Sequence, residues 1–140
     1  MKKKNMALFI DGENIPAKES QRLFSIVNGI GELDYAKVYG IQKDKSTRAW
    51  SQLALEMDDL KDIRLCGGPG KNKVDKKIQK DVSKEITIHK NIDIVVIATS
   101  DHGYVSSVKE MRSKGKKVII LGNRKTSNKL KKACNEYYCL

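Results

Sequence analysis

"IDIVVIATSDHGY", residues 92–104, decides how this chain folds. Its apolar core, Ile94 to Ala98, is continuous and largely β-branched, whereas a strand buried on one face would alternate apolar and polar residues. A strand covered on both faces must be central and must have helices packed above and below it. The run is interrupted by Asp93 and is far too short to span a bilayer. It then ends abruptly in Thr99, Ser100 and Asp101.

Working outward, short β-branched runs alternate with longer segments of helical period. Upstream, "NKVDKKIQKDVSKEITIHK" (72–90) repeats Val74, Ile78, Val82 and Ile86 four apart, which predicts a helix with one buried stripe. Before it stand "NMALFI" (5–10) as a strand and "PAKESQRLFSIVNGIG" (16–31) as a helix opened by Pro16. "DYAKVYG" (34–40) reads as a second strand, residues 46–59 as a helix capped by Ser46 or Thr47, and "DIRLCGG" (62–68) as a third strand. Downstream come a helix over 104–115, the strand "KKVIILG" (116–122), a helix near 126–134, and "EYYCL" as an added edge strand. Gly40, Gly115 and Gly122 read as turn or cap residues. Such alternation predicts an α/β fold in three layers: a central, mostly parallel sheet of about five strands flanked by helices. With 140 residues and no linker or repeat, one domain over 1–140 is expected.

In sheets of this kind the ligand sits outside the carboxyl ends of the strands. Asp11, at the end of "ALFIDGENIP" (7–16), and Asp101 are therefore expected on one rim, on strands only about 5 Å apart if adjacent. Two carboxylates there repel unless something positive joins them. A hard divalent cation, Mg²⁺ or Mn²⁺, suits oxygen ligands without a cysteine or histidine cluster. Asp75, in the first turn of the 72–90 helix, is the third candidate ligand. Asp81 lies six residues further, about 9 Å along the helix and round its face, where an ion pair or a supporting role is expected. Asn14 is expected to touch a phosphate or orient a water, while Glu13 leaves the turn in a direction the sequence does not fix. Thr99 and Ser100 are helix-cap candidates compatible with phosphate contact, and His102 is a candidate substrate contact or proton donor. Trp50, Tyr35, Tyr39 and Phe24 read as core, and Tyr104 as packing behind the site.

Charge points the same way. Lys and Arg total 28 against 17 Asp and Glu, a net +11, and residues 71–140 carry nearly all of it. A bias held in one half suits a polyanion-binding face. "GGPGKNK" (67–73) is not a phosphate-binding P-loop, since Gly70-Lys71 is followed by Asn72, but it can carry Lys71 and Lys73 toward a nucleic-acid backbone. Carboxylates around a cation in a basic surround suit phosphodiester hydrolysis, and an exposed rim suits a single strand better than a duplex. A haloacid-dehalogenase-like phosphatase needs an aspartate where Glu13 stands, and a receiver domain needs an acidic pair at the first strand's end. Cys66, Cys134 and Cys139 form an odd set without a CxxC pair, so reduced thiols and a cytoplasmic location are expected, with no signal peptide. A C-terminal edge strand can pair with a second copy, though nothing requires a homodimer.

The ordered set "FIDGENI" (9–15), "KNKVDKKIQKDV" (71–82), residues 92–122 and "SNKLKKACNEYY" (127–138) resembles the NYN domains of the PIN-like nuclease superfamily, in particular the bacterial LabA-like group. The resemblance implies a Rossmann-like PIN fold, a divalent-metal site and ribonuclease activity. By position, Asp11, Asn14, Asp75 and Asp101 match the family's site residues, and Asp81 matches a frequent helix aspartate. The family's second aspartate in Ser-Gly-Asp-x-Asp-Phe is Gly103 here, and a later family aspartate corresponds to Asn135. Two functions follow as expectations: a metal-dependent ribonuclease, or an RNA-binding module that no longer cuts.

Overall fold

The computed structural model describes residues 5–41, 45–56, 60–66 and 73–140; the side chains of residues 41, 45–47, 54–56, 60–66 and 73–75 lie outside that description. β1 (Asn5–Asp11) leads through a 3-10 turn (Ala17–Glu19) into α1 (Ser20–Ile30), then β2 (Glu32–Ile41), α2 (Lys45–Glu56) and β3 (Leu60–Cys66). α3 (Lys73–Ile88) crosses to β4 (Ile94–Ala98), followed by a second 3-10 turn (His102–Tyr104), α4 (Val105–Ser113), β5 (Lys117–Gly122), α5 (Asn128–Ala133) and β6 (Glu136–Cys139). Among the described residues these strands form one six-stranded sheet in the order β3-β2-β1-β4-β5-β6. Every pairing is parallel. The expected count of about five rises to six because "EYYC" pairs with Ile119–Gly122 as an edge strand.

β4 is buried along its whole length, as its unbroken apolar run requires. Alternate β1 residues face opposite layers: Ala7 and Phe9 pack with Ile78, Val82, Val108 and Leu130, while Met6, Leu8 and Ile10 pack with Leu23, Phe24, Val27 and Trp50. The sheet thus lies between α3, α4 and α5 on one face and α1 and α2 on the other. The α3 stripe is confirmed at Ile78, Val82 and Ile86, all buried; the Val74 side chain lies outside the description. Gly115 takes the left-handed conformation (φ 82°) that ends α4, as expected of a cap glycine. Gly40, by contrast, lies within β2.

Polar contacts also dock α3 on β2. Tyr39 donates its hydroxyl to Asp81 (3.0 Å), Lys37 to Glu85 (2.6 Å) and Tyr35 to Glu85 (3.2 Å). Residues 35, 37 and 39 share one face because strand side chains alternate, and Asp81 and Glu85 are one helical turn apart. Burial alone raises the Glu85 carboxyl, but the hydrogen bond and charge of Lys37, with Tyr35 and His89, outweigh it and hold the group below its usual range. Burial first, and the charge of Glu85 second, push the Tyr35 hydroxyl upward.

Candidate active site at the carboxyl rim

The chain builds outward from β1 through β2 to β3, then returns across the sheet to β4 beside β1. The gap between β1 and β4 is therefore the topological switch point, where helices on either side diverge and a crevice opens. Ile10 pairs with Ala98, so Asp11 and Thr99 are the next residues on adjacent strands.

Asp11 is fully buried (0% exposed). Its Oδ2 accepts hydrogen bonds from Asn14 Nδ2 (2.6 Å), Thr99 Oγ1 (3.2 Å) and Tyr104 Oη (3.4 Å), and its Oδ1 accepts one from the Glu13 amide (3.3 Å). All four donors are neutral, and no ion pair joins Asp11 to a described residue. The "DGEN" turn that supplies two of them is tied down locally. Gly12 donates to the Tyr39 carbonyl (2.7 Å), and a Cβ at that position would stand 2.5 Å from the same oxygen, so only glycine fits. Asn14 and Ile15 amides return to the Asp11 carbonyl, and Trp50 Nε1 donates to Ile15 O (2.8 Å). Trp50 is core, as expected, and its ring nitrogen also holds the turn.

On the other strand, Thr99 is fully buried and its hydroxyl has two roles. It donates to Asp11 and accepts the Asp101 amide (3.3 Å), linking the two acidic positions through one oxygen. Asp101 itself caps the 3-10 turn by accepting from the Gly103 amide (2.9 Å), so the cap is Asp101 and not Thr99 or Ser100. Ser100 Oγ turns toward the next strand and accepts from the Asn123 amide (2.8 Å). His102 is 80% exposed, its Nδ1 3.6 Å from Asp101 Oδ1. Asn14, Thr99 and Asp101 therefore gather around Asp11. Glu13 contributes its amide there, and its side chain is exposed.

Four expected residues fall elsewhere or outside the described set. Asp75 is in the first turn of α3, with its side chain outside the description; so is that of Lys73, and Lys71 is outside the described residues altogether. Among the described residues no group of three or more acidic, histidine or cysteine side chains forms a metal-binding cluster. Asp81 is a strut: it accepts from Tyr39 and pairs with Lys77 at 3.4 Å. Asn135 requires a correction. Its side chain accepts the Val118 amide (2.8 Å) at the amino end of β5, on the opposite rim. A carboxylate missing there takes nothing from the site, and of the two departures from the family pattern only Gly103 stands at the rim.

The sequence reading missed the Tyr104 hydroxyl. Tyr104 packs behind the site as expected (0% exposed), but its hydroxyl also reaches Asp11. The available signal was its position three residues beyond Asp101, the first helical turn after a rim strand. A groove of about 600 Å³ between α3 and α4, bordered by Lys80, Lys84 and Glu110, contains none of these residues.

Comparison with known proteins places the chain by family rather than by activity. The NYN domain family model matches residues 5–140. A Vibrio parahaemolyticus protein of unknown function, known from its crystal structure, superposes with a TM-score of 0.79 at 20% identity, over 99% of this chain and 93% of that one, which shows a shared fold. No curated protein matches the chain. With the family model running from β1 to the end of the sheet, the chain belongs to the NYN domain family.

Proposed function

We propose that this chain is a divalent-metal-dependent ribonuclease acting on single-stranded RNA, with Asp11, Asp75 and Asp101 holding Mg²⁺ or Mn²⁺. The observation that carries this reading is Asp11. A carboxylate withdrawn completely from water is costly to bury, and among the described residues only neutral groups donate to it. Among the described residues its Oδ1 accepts one bond, from the Glu13 amide, so it keeps acceptor capacity. A hard cation fits that oxygen, with Asp101 across the switch point and Asp75 opening α3 as further oxygen donors. Membership in a family with a nuclease-type fold supports the same reading.

When bound, such a cation supplies Lewis acidity, offsetting charge on phosphoryl oxygens and making water a better nucleophile. The protein's own part is positional. Asn14, Thr99 and Tyr104 fix Asp11 Oδ2 so that the carboxylate does not swing, and Thr99 ties the Asp101 backbone to the same point. Exposed His102 stands where it can meet a substrate or leaving-group oxygen. The fixed oxygens cost no reorganisation during reaction. Lys73, which opens α3, and Lys71, two residues earlier in the sequence, would hold the backbone without reading bases. No helix among the described residues is long and apolar enough to cross a membrane. The free thiols Cys134 and Cys139 suit a reducing, cytoplasmic setting.

A second reading, an RNA-binding module without catalysis, is favoured by Gly103, which brings no side-chain carboxylate beside Asp101 where the family pattern has one. Labelled single-stranded RNA incubated with Mn²⁺, Mg²⁺ or chelator separates the two. The nuclease reading expects cleavage that chelator, Asp11→Asn and Asp101→Asn each abolish. Cleavage persisting in chelator sinks the metal mechanism, and binding without cleavage supports the module.

A further inference from the structure

β5 ends at Gly122 on the same rim as Asp101, one strand further across the sheet. The loop that follows, residues 123–127, is fastened to the site segment to an unusual degree. A Cβ on Gly122 would strike the Thr126 hydroxyl and stand 2.8 Å from the Thr99 carbonyl oxygen and 3.1 Å from Ser100 Oγ. Only glycine lets the loop close this far. The Thr99 amide donates to Leu121 O (2.9 Å), the Asn123 amide donates to Ser100 Oγ (2.8 Å), and Thr126 Oγ1 lies 3.1 Å from the same Ser100 oxygen.

The loop is also braced within itself. Asn123 Oδ1 accepts the Lys125 amide (2.8 Å), and Asn123 O accepts from the Thr126 hydroxyl (2.7 Å) and from the Tyr137 hydroxyl (2.8 Å). Thr126 is buried. Arg124 and Lys125 at the tip are exposed, and neither forms an ion pair with a described residue. Four lysines elsewhere are matched to acids: Lys37 to Glu85, Lys77 to Asp81, Lys114 to Glu110 and Lys117 to Glu136. Others, such as Lys90 and Lys109, are also without an acid partner among the described residues, so it is the braced position beside Ser100 that sets Arg124 and Lys125 apart. Two uncompensated cations on a rigid tip, bonded to the residue immediately before Asp101, are preorganised for an anion approaching the rim. Both side chains are exposed and adjacent on the tip, so an extended polyanion can reach them from solvent. Arginine binds a phosphate through two parallel N–H donors, and lysine acts as a point charge.

We propose that the 123–127 loop is a clamp for the phosphodiester backbone of the single strand, with Arg124 and Lys125 as its two contacts and Ser100, Thr126 and Tyr137 as positioning residues. The clamp rests on the reading of the rim as a phosphodiester site. It sets the direction in which the strand leaves Asp101, across β5 toward β6.

The test measures binding of labelled single-stranded RNA in chelator, so that no cleavage is needed, over a series of salt concentrations. Four proteins are compared: wild type, Arg124→Ala/Lys125→Ala, Tyr137→Phe, and a control of equal charge loss at two exposed positions off the carboxyl rim, Lys90→Ala/Lys109→Ala. The clamp variant is expected to bind about tenfold more weakly. Its log–log salt slope should be shallower by about 1.4, the value for two phosphate contacts on a single strand. Tyr137→Phe, which keeps both charges but loosens their support, should weaken binding with the slope retained. The control should keep the wild-type slope. An unchanged slope in the clamp variant, or an equal loss in the control, overturns the clamp and leaves the nuclease reading standing. Binding that depends on the clamp without any cleavage in Mn²⁺ supports the clamp and overturns the nuclease reading. Wild-type protein that fails to bind RNA overturns both.

Discussion

The Thr99 hydroxyl joins β4 to β1 at the point where the chain reverses direction across the sheet. It donates to Asp11 Oδ2 at 3.2 Å and accepts the Asp101 amide at 3.3 Å. One buried oxygen thereby sets the spacing of the two acidic positions. Thr99→Val keeps the shape and removes the hydroxyl, so Asp11 loses a donor and the Asp101 amide loses an acceptor. The expected result is a loss of about 1–3 kcal/mol in unfolding free energy by denaturant titration and a fall of about tenfold to a hundredfold in RNA cleavage. Thr99→Ser should recover most of both.

Asp81 is a strut for α3, and its variant should behave as one. Tyr39→Phe leaves the nearly buried Asp81 carboxylate (8% exposed) short of a donor. Stability should fall by about 1–3 kcal/mol, while cleavage per folded molecule at low temperature stays within about twofold of wild type. A large fall in activity of fully folded protein would place Asp81 in the site instead.

Glu85 gives a pH signature. Its folded pKa is lowered, so it contributes stability above its unfolded value, about pH 4.3, and loses it as pH falls through the folded value. Glu85→Gln also leaves buried Lys37 without its 2.6 Å partner. The variant's unfolding free energy should lie below wild type at neutral pH, by roughly 1.5–3 kcal/mol, and the two pH–stability curves should converge in acid. A deficit independent of pH contradicts the ion-pair account.

Gly103 has room for a side chain. A Cβ there meets Asp101 Oδ1 at 3.4 Å, an ordinary contact, and the position is exposed. Gly103→Asp adds a carboxylate beside Asp101, which should lower the melting temperature in chelator through like-charge repulsion. Mn²⁺ should restore it, with affinity about tenfold above wild type because more anionic ligands tighten hard-cation sites. Equal Mn²⁺ affinities would show that this position does not face the cation.

The fold was legible because its signal is periodic. The uninterrupted Ile94–Ala98 run and the four-residue spacing of Ile78, Val82 and Ile86 each carry their burial in the sequence itself. Asp11 and Asp101 were legible for a second reason: topology, and not local chemistry, puts strand ends on one rim. The hydroxyl network was not legible. Tyr104 and Tyr39 have the sequence appearance of core aromatics, and only the packing of α4 and α3 on the sheet decides where their oxygens point. Asn135 was misread for the reverse reason. Alignment by motif gives order along the chain, whereas the short α5 carries that residue from the site rim to the opposite one.

The claim that Asp11 is buried to hold a cation is tested most directly by calorimetric titration of Mn²⁺ into the metal-free protein, Asp11→Asn and Asp101→Asn, each first shown to be folded. Saturable Mn²⁺ binding by the wild type, weakened about tenfold or more in both variants, is the predicted result. Wild-type protein that binds no Mn²⁺ saturably, or binds it equally well without either carboxylate, contradicts the account.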